Sequence, residues 1–175
     1  MINDYSFINN TYAFAVCRIE PENNTHMLLE AFTDDPPFPI AIVGNWRYKE
    51  YGRKLKEQYR DCPHTFLIDP IYDQDKLNQL RKNCHIYLHG HSCGGTNPSL
   101  VEAMYLALPV IAFDVPFNRE TTENQALFFD SAETLKKLCA TLDEARRGEI
   151  AAKMKEIADR RYTWERISEL YYNIF

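Results

Sequence analysis

His89-Gly90-His91-Ser92-Cys93-Gly94-Gly95-Thr96-Asn97-Pro98-Ser99-Leu100-Val101-Glu102 is the stretch whose reading decides the fold. It follows a short apolar run, Ile86-Tyr87-Leu88, and leads into a helical pattern that ends at Leu108. It therefore reads as a strand, a polar glycine-rich loop and a helix N-terminus. Asn97 is a good N-cap and Pro98 a good first helical residue, which places the helix start. A junction of this kind suits an anion, because free backbone N–H groups and the helix dipole both point at it.

Working outward, the same alternation repeats. Residues 11–16 (TYAFAV), 40–43 (IAIV) and 66–68 (FLI) are apolar runs upstream, and 109–113 (PVIAF) and 126–129 (ALFF) follow downstream. Between them lie amphipathic patterns: Met27, Leu28, Ala31 and Phe32; residues 48–59; and Leu77 with Leu80 behind a capping Asp73. Three helices close the chain, on Leu135, Leu138 and Leu142, on Ile150, Met154 and Ile157, and on Ile167, Leu170, Tyr171 and Ile174. Continuous apolar strands alternating with helices predict an α/β fold, a Rossmann-like doubly wound parallel sheet of about six strands. Residues 1–175 read as a single domain, without repeat or linker. In the order 3-2-1-4-5-6, strands one and four meet at the switch point, where ligands bind. The Arg18 loop after strand one and the Gly94-Gly95 loop after strand four then converge on one crevice.

Composition narrows the function. A net charge of −5 argues against nucleic acid as a partner, which needs a basic face. No apolar run approaches the roughly 18–20 residues of a membrane helix. Met1-Ile2-Asn3-Asp4-Tyr5 lacks the basic-then-apolar pattern of a signal peptide. The five cysteines are scattered and form no C-x-x-C, so we expect free thiols in a reducing, cytoplasmic setting.

Four chemistries compete for the loop. Gly90-His91-Ser92-Cys93-Gly94 spells the G-x-S-x-G of a serine hydrolase nucleophile, but no histidine follows His91 and the helix starts several residues late. His89, His91 and Cys93 are metal-ligand types without metal-ligand spacing. A dinucleotide fingerprint belongs after strand one, where Cys17-Arg18-Ile19-Glu20-Pro21-Glu22-Asn23-Asn24 has no glycine. A diphosphate site fits best. The N–H groups of Gly94, Gly95 and Thr96 form a cradle, and Arg18 faces it with a guanidinium suited to phosphate. Glu102 lies one turn after Pro98, placed for sugar or ribose hydroxyls. A non-catalytic interaction module is the remaining alternative. Asp73-Gln74-Asp75 resembles a metal-binding D-x-D but is explained by helix capping. Tyr162-Thr163-Trp164 reads as packing.

The segments Arg18-Ile19-Glu20-Pro21-Glu22-Asn23, Ile42-Val43-Gly44, Leu100-Val101-Glu102-Ala103-Met104 with Leu108-Pro109-Val110-Ile111-Ala112, and Tyr162-Thr163-Trp164 together resemble the large retaining GT-B glycosyltransferase family, the glycosyl transferases group 1. The resemblance spans nearly the whole chain. It implies the C-terminal, donor-binding half of a GT-B fold, whose partners are a nucleotide diphosphate sugar and an N-terminal acceptor-binding domain. It also implies that no metal or other cofactor is needed, since the nucleotide sugar is a substrate.

On that resemblance Glu102 matches a ribose-binding glutamate, and Arg18 an arginine that holds the diphosphate. The family's first glutamate falls at Gly94 and its phosphate lysine at Asn23. Sugar contacts then fall to His91, His89 and Asn97, and the Ile71-Tyr72 loop meets the base. The combined variant, Arg18-Ile19-Glu20-Pro21-Glu22-Asn23-Asn24 with Gly90-His91-Ser92-Cys93-Gly94-Gly95-Thr96-Asn97-Pro98-Ser99-Leu100-Val101-Glu102-Ala103-Met104, is similar to a bacterial polysaccharide rhamnosyltransferase subgroup. That implies dTDP-rhamnose as donor, a polysaccharide or lipid-linked acceptor, and peripheral contact of the full-length enzyme with the inner face of the membrane.

Overall fold

The computed structural model describes Tyr5, residues 7–9 and residues 11–173; residues 1–4 and Ile174 of the sequence reading lie outside the described residues. Six strands are present: β1 (Ala13–Val16), β2 (Ile40–Val43), β3 (Thr65–Ile68), β4 (Ile86–His89), β5 (Val110–Phe113) and β6 (Leu127–Phe129). They form one parallel sheet in the order β3-β2-β1-β4-β5-β6, the doubly wound order expected from the sequence.

The helices are α1 (Thr25–Ala31), α2 (Glu50–Tyr59), α3 (Gln74–Lys82), α4 (Pro98–Tyr105), α5 (Pro116–Thr121), α6 (Ala132–Thr141), α7 (Glu144–Arg161) and α8 (Trp164–Tyr172). A short 3-10 turn, Pro21–Asn23, precedes α1. Neither that turn nor α5 was expected, because both are too short to show apolar periodicity. Each instead starts on a proline, which supplies the helical φ at the first position.

The central strands read as unbroken apolar runs because both faces of the sheet are covered. On one face, residues from α3, α4 and α7 pack with Phe14, Tyr87, Val110 and Ala112. On the other, α1, α2 and α6 pack with Ala15, Ile42, Leu88 and Ile111. Helix α7 shows how the pattern becomes packing: Ile150, Met154, Ile157 and Ala158 recur at one-turn spacing and are all buried. Asp143 caps it by accepting from the Arg146 N–H at 2.7 Å.

The register opens the crevice. β1 pairs with β2 along its full length, from Ala13↔Ile40 to Val16↔Val43. Its pairing with β4 covers only Ala13↔Ile86 and Phe14↔Tyr87. The carboxyl ends of β1 and β4 therefore separate, and the loops that follow must fill the gap.

They do so at very close range. A Cβ on Gly90 would stand 2.2 Å from the carbonyl oxygen of Asn23, a distance no side chain accepts. Gly90→Ala is expected to destabilise the fold by about 1–3 kcal/mol, as overpacking does. Gly95→Ala, which meets nothing within 4 Å, is expected to change stability by less than about 0.5 kcal/mol. Urea unfolding midpoints check both.

Candidate functional site

The loop after β1 and the loop after β4 are joined by backbone-directed hydrogen bonds. Ser92 donates both its N–H, at 2.8 Å, and its hydroxyl, at 2.9 Å, to the Glu22 carbonyl. Asn24 Nδ2 donates to the Gly90 carbonyl at 3.0 Å. Asn24 itself sits at φ 48°, a left-handed conformation that asparagine tolerates, and this lets the 3-10 turn pass directly into α1.

In the first loop the Arg18 side chain is 78% exposed, with Glu20 its closest carboxylate at 3.9 Å. Glu20 is turned inward and bonded to Lys49 at 2.5 Å, and that bond holds its carboxyl below the usual range. Arg18 is thus left extended over a cavity of about 530 Å³ that it shares with Tyr48, Lys49, Ile71 and Tyr72. Tyr72 projects almost fully into solvent. Asn23 is buried, and its Nδ2 donates to the Arg18 carbonyl at 2.6 Å. Its amide therefore shapes the turn that presents Arg18.

In the second loop Asn97 caps α4, its Oδ1 accepting from the Ser99 N–H at 3.0 Å and the Ser99 hydroxyl at 2.8 Å. Gly94 lies at φ +115°, which only glycine adopts without strain, and a Cβ on Gly94 or Gly95 would meet nothing within 4 Å. Among the described residues, the N–H groups of Gly94, Gly95 and Thr96 find no protein acceptor. The Thr96 hydroxyl lies 3.3 Å from that of Thr121 on α5, which ties the loop to the helix that the sequence did not reveal.

Behind the cradle lies a pair of stacked imidazoles. The rings of His89 and His91 are 4.3 Å apart and inclined by only 9°. Both side chains are buried, and neither nitrogen of His89 nor Nδ1 of His91 has a partner among the described residues. Burial lowers both pKa values, that of His91 to about 4 with help from the charge of Arg18, and that of His89 with help from His91. Stacked rings cannot converge on one metal ion, and among the described residues no three His, Cys, Asp or Glu side chains gather as a metal would require. Because the Ser92 hydroxyl is committed to a carbonyl, the G-x-S-x-G sequence is not assembled as a nucleophile with its base.

Glu102 faces a different hollow, of about 510 Å³, bounded by α3, α4 and residues 162–165 at the start of α8. Its Oε2 accepts from Arg81 Nη2 at 2.8 Å. The structure thus joins the Arg18 loop to the His91–Thr96 loop and sets Ile71 and Tyr72 beside Arg18. Glu102 stands one turn into α4, on the side toward α3. Sequence reasoning missed Arg81 and Lys49. For Arg81 a signal existed: it follows Leu77 and Leu80 at helical spacing, so it falls on the buried face of α3, where a charge needs a partner. Asp73 caps α3 as expected, accepting from the Lys76 N–H at 3.1 Å. The packing expected of Tyr162-Thr163-Trp164 is only partly present. Tyr162 donates to the Thr121 carbonyl at 3.0 Å, whereas Trp164 is 83% exposed because α8 buries none of its described residues.

A sequence model of the glycosyl transferases group 1 family matches residues 6–161. Among solved structures, HepE of Anabaena in complex with UDP superposes with a TM-score of 0.80 at 20% identity, over 94% of this chain and 49% of that one. HepE in complex with UDP-glucose gives the same TM-score at 21% identity. The C-terminal domain of LpcC, a group 1 family glycosyl transferase of Francisella tularensis, aligns over 87% of both chains at 19% identity and a TM-score of 0.72. Sucrose-phosphate synthase of Thermosynechococcus elongatus aligns over 96% of this chain and 46% of its own, with a TM-score of 0.78 at 19% identity. At these identities the likeness is one of fold, and the chain spans about half the length of HepE and of the synthase.

The buried histidines set a pH dependence. The folded pKa of His91 lies below its ordinary 6.5, so protons favour the unfolded chain. Its contribution to stability is intact above pH 6.5 and is lost as the pH falls toward 4. The full span amounts to about 3 kcal/mol. Urea midpoints are expected to fall over this window, and to fall less steeply in His91→Gln, which cannot be protonated. Equal slopes in the two proteins would contradict the neutral buried imidazole.

Proposed function

The chain belongs to the glycosyl transferases group 1 family, and from that membership and the open cradle at the start of α4 we propose that it is the donor-binding half of a nucleotide-sugar glycosyltransferase. The observation that carries the reading is the run of unengaged N–H groups at Gly94, Gly95 and Thr96, with open space on their outer side and a loop bearing Arg18 bonded alongside. A helix N-terminus of this form favours phosphate oxygens. HepE, which shares the fold, is known in complex with UDP and with UDP-glucose, and this supports the ligand class.

In this reading the donor's diphosphate rests on the cradle, with Arg18 reaching it from the first loop. The acceptor hydroxyl attacks the anomeric carbon, the bond from that carbon to the terminal phosphate oxygen breaks, and the hydroxyl proton passes to the departing diphosphate. The negative charge that builds on the departing nucleoside diphosphate is met by the fixed N–H dipoles and the guanidinium. The proposal needs no metal, because these groups meet that charge. His91 and Asn97 lie at the sugar end, Ile71 and Tyr72 at the base, and Glu102 at the ribose. Neutral imidazoles suit sugar hydroxyls, since each donates and accepts without adding charge.

The finer reading is transfer of rhamnose from dTDP-rhamnose to a polysaccharide or lipid-linked acceptor, by a cytoplasmic enzyme that touches the inner face of the membrane. It is supported by the resemblance of residues 18–24 and 90–104 to the rhamnosyltransferase subgroup. The acceptor belongs to a second half of the enzyme, for which the exposed Trp164 and Tyr171 of α8 offer an apolar surface. This half alone then binds donor without turning it over.

Calorimetry with UDP, GDP and dTDP tests the reading, and a folded protein that binds none of them would sink it. Gly95→Val is expected to weaken nucleoside diphosphate binding by tenfold or more, about 1.4 kcal/mol, with an unchanged unfolding midpoint. Glu102→Gln, which keeps an acceptor for Arg81, is expected to weaken the nucleoside diphosphate and leave pyrophosphate binding unaltered. Equal losses for both ligands would contradict the ribose role.

A further inference from the structure

The residue beneath Glu102 is a charge where the sequence leads one to expect a core side chain. Arg81, in the last turn of α3, is 1% exposed. Burying a guanidinium costs several kcal/mol unless it is paired and hydrogen-bonded. Here Nη2 donates to Glu102 Oε2 at 2.8 Å, Nη1 donates to Asn78 Oδ1 at 2.9 Å, and Nε has no partner among the described residues. Glu102 is the one carboxylate that Arg81 meets among the described residues.

Seen from Glu102, the arrangement is asymmetric. One oxygen is held from inside the fold, while the side chain as a whole stays 46% exposed on the wall of the hollow bounded by α3, α4 and the start of α8. A glutamate on a helix surface otherwise samples many rotamers, and a ligand must immobilise it at the cost of that freedom. A guanidinium that is itself fixed by burial and by Asn78 removes this cost before the ligand arrives.

We propose that Arg81 is the positioning residue for Glu102, orienting its carboxylate so that the remaining acceptor capacity meets the vicinal hydroxyls of a ribose. The proposal rests on the nucleotide reading of Glu102 given above. Arg81 does not touch the ligand in it; it acts through the carboxylate.

Discrimination between ligands with and without ribose hydroxyls tests it. UDP is compared with 2′,3′-dideoxy-UDP, dTDP with 3′-deoxy-dTDP, and pyrophosphate serves as the control. The unaltered protein is expected to prefer the hydroxylated member of a pair by about tenfold, the scale of one hydrogen bond to a charged group. In Arg81→Met, which keeps the volume and removes the fork, that preference is expected to fall to less than about twofold with pyrophosphate affinity unchanged. Arg81→Lys, with one ammonium in place of two aligned donors, is expected to restore part of it. A purely structural arginine would lower stability and leave the preference intact, and that result in Arg81→Met overturns the proposal alone. Should Arg81→Met fail to fold, Arg81→Lys decides, and an undiminished preference there overturns the proposal. If the unaltered protein binds the nucleotides but shows no preference, the ribose is not on Glu102, and both readings fall.

Discussion

The close approach of the first loop to the fourth, at Gly90, is the constraint on which the carboxyl end of this sheet depends. β1 and β4 stop pairing after Phe14 and Tyr87, so the sheet itself leaves a gap at the switch point. The gap is closed by main chain: the Asn23 carbonyl fills the space a Cβ would take at residue 90, and Ser92 bonds twice to the Glu22 carbonyl. The short side chains of Ser92 and Asn24 add bonds to the partner loop's carbonyls, so little rotamer freedom enters the placement of the two backbones. The spacing between the Arg18 loop and the Gly94-Gly95-Thr96 cradle is therefore set by the packing of two turns, and such packing is stiff. A site built this way is preorganised, which is what stabilising a developing charge requires.

The electrostatics of the crevice follow from the same packing. Lys49 is neutralised by Glu20, so the cationic character above the first loop is left to Arg18. The two histidines beneath the cradle are held neutral, because burial penalises the imidazolium, the charge of Arg18 penalises it further at His91, and His91 beside it disfavours a second charge at His89. A face-to-face stack at 4.3 Å is compatible with two neutral rings and incompatible with two charged ones. The anion-attracting field therefore comes from one guanidinium and a helix dipole, and the imidazoles contribute hydrogen bonding only.

The sheet was legible because its signal is local and redundant. Strands buried on both faces must be apolar throughout, and the helices between them repeat their apolar residues once per turn. The cap at Asn97 and the helix start at Pro98 were legible for the same reason, since a cap is chemistry within three residues. That the loops after β1 and β4 converge was legible from element order, but the contacts that join them were not. Glu22 and Ser92 are 70 residues apart, and nothing in either segment announces the other. Asn23 looked like a ligand residue from its motif position, whereas its amide is used 2.6 Å away on the Arg18 carbonyl. Trp164 looked like core by residue type, but α8 finds no cover within the described chain, so residue type alone misplaced it.

Glu102 shows why a site residue and a fold residue need not be different residues. Its carboxylate balances a guanidinium that the α3 face has drawn into the interior, and the same carboxylate is presented beside the hollow next to α4. Deleting it would strand Arg81 as an uncompensated buried charge, a loss of about 3–5 kcal/mol unrelated to any ligand. A binding defect measured on such a variant would mix two causes. An amide at position 102 keeps an acceptor for Arg81 but not the countercharge, so stability has to be read beside binding in that variant. The converse change, at Arg81, leaves the outward carboxylate in place and alters only how well it is aimed. The two positions thus share one buried ion pair: their coupling in stability reports the pair itself, and ligand preference is the readout that reports orientation.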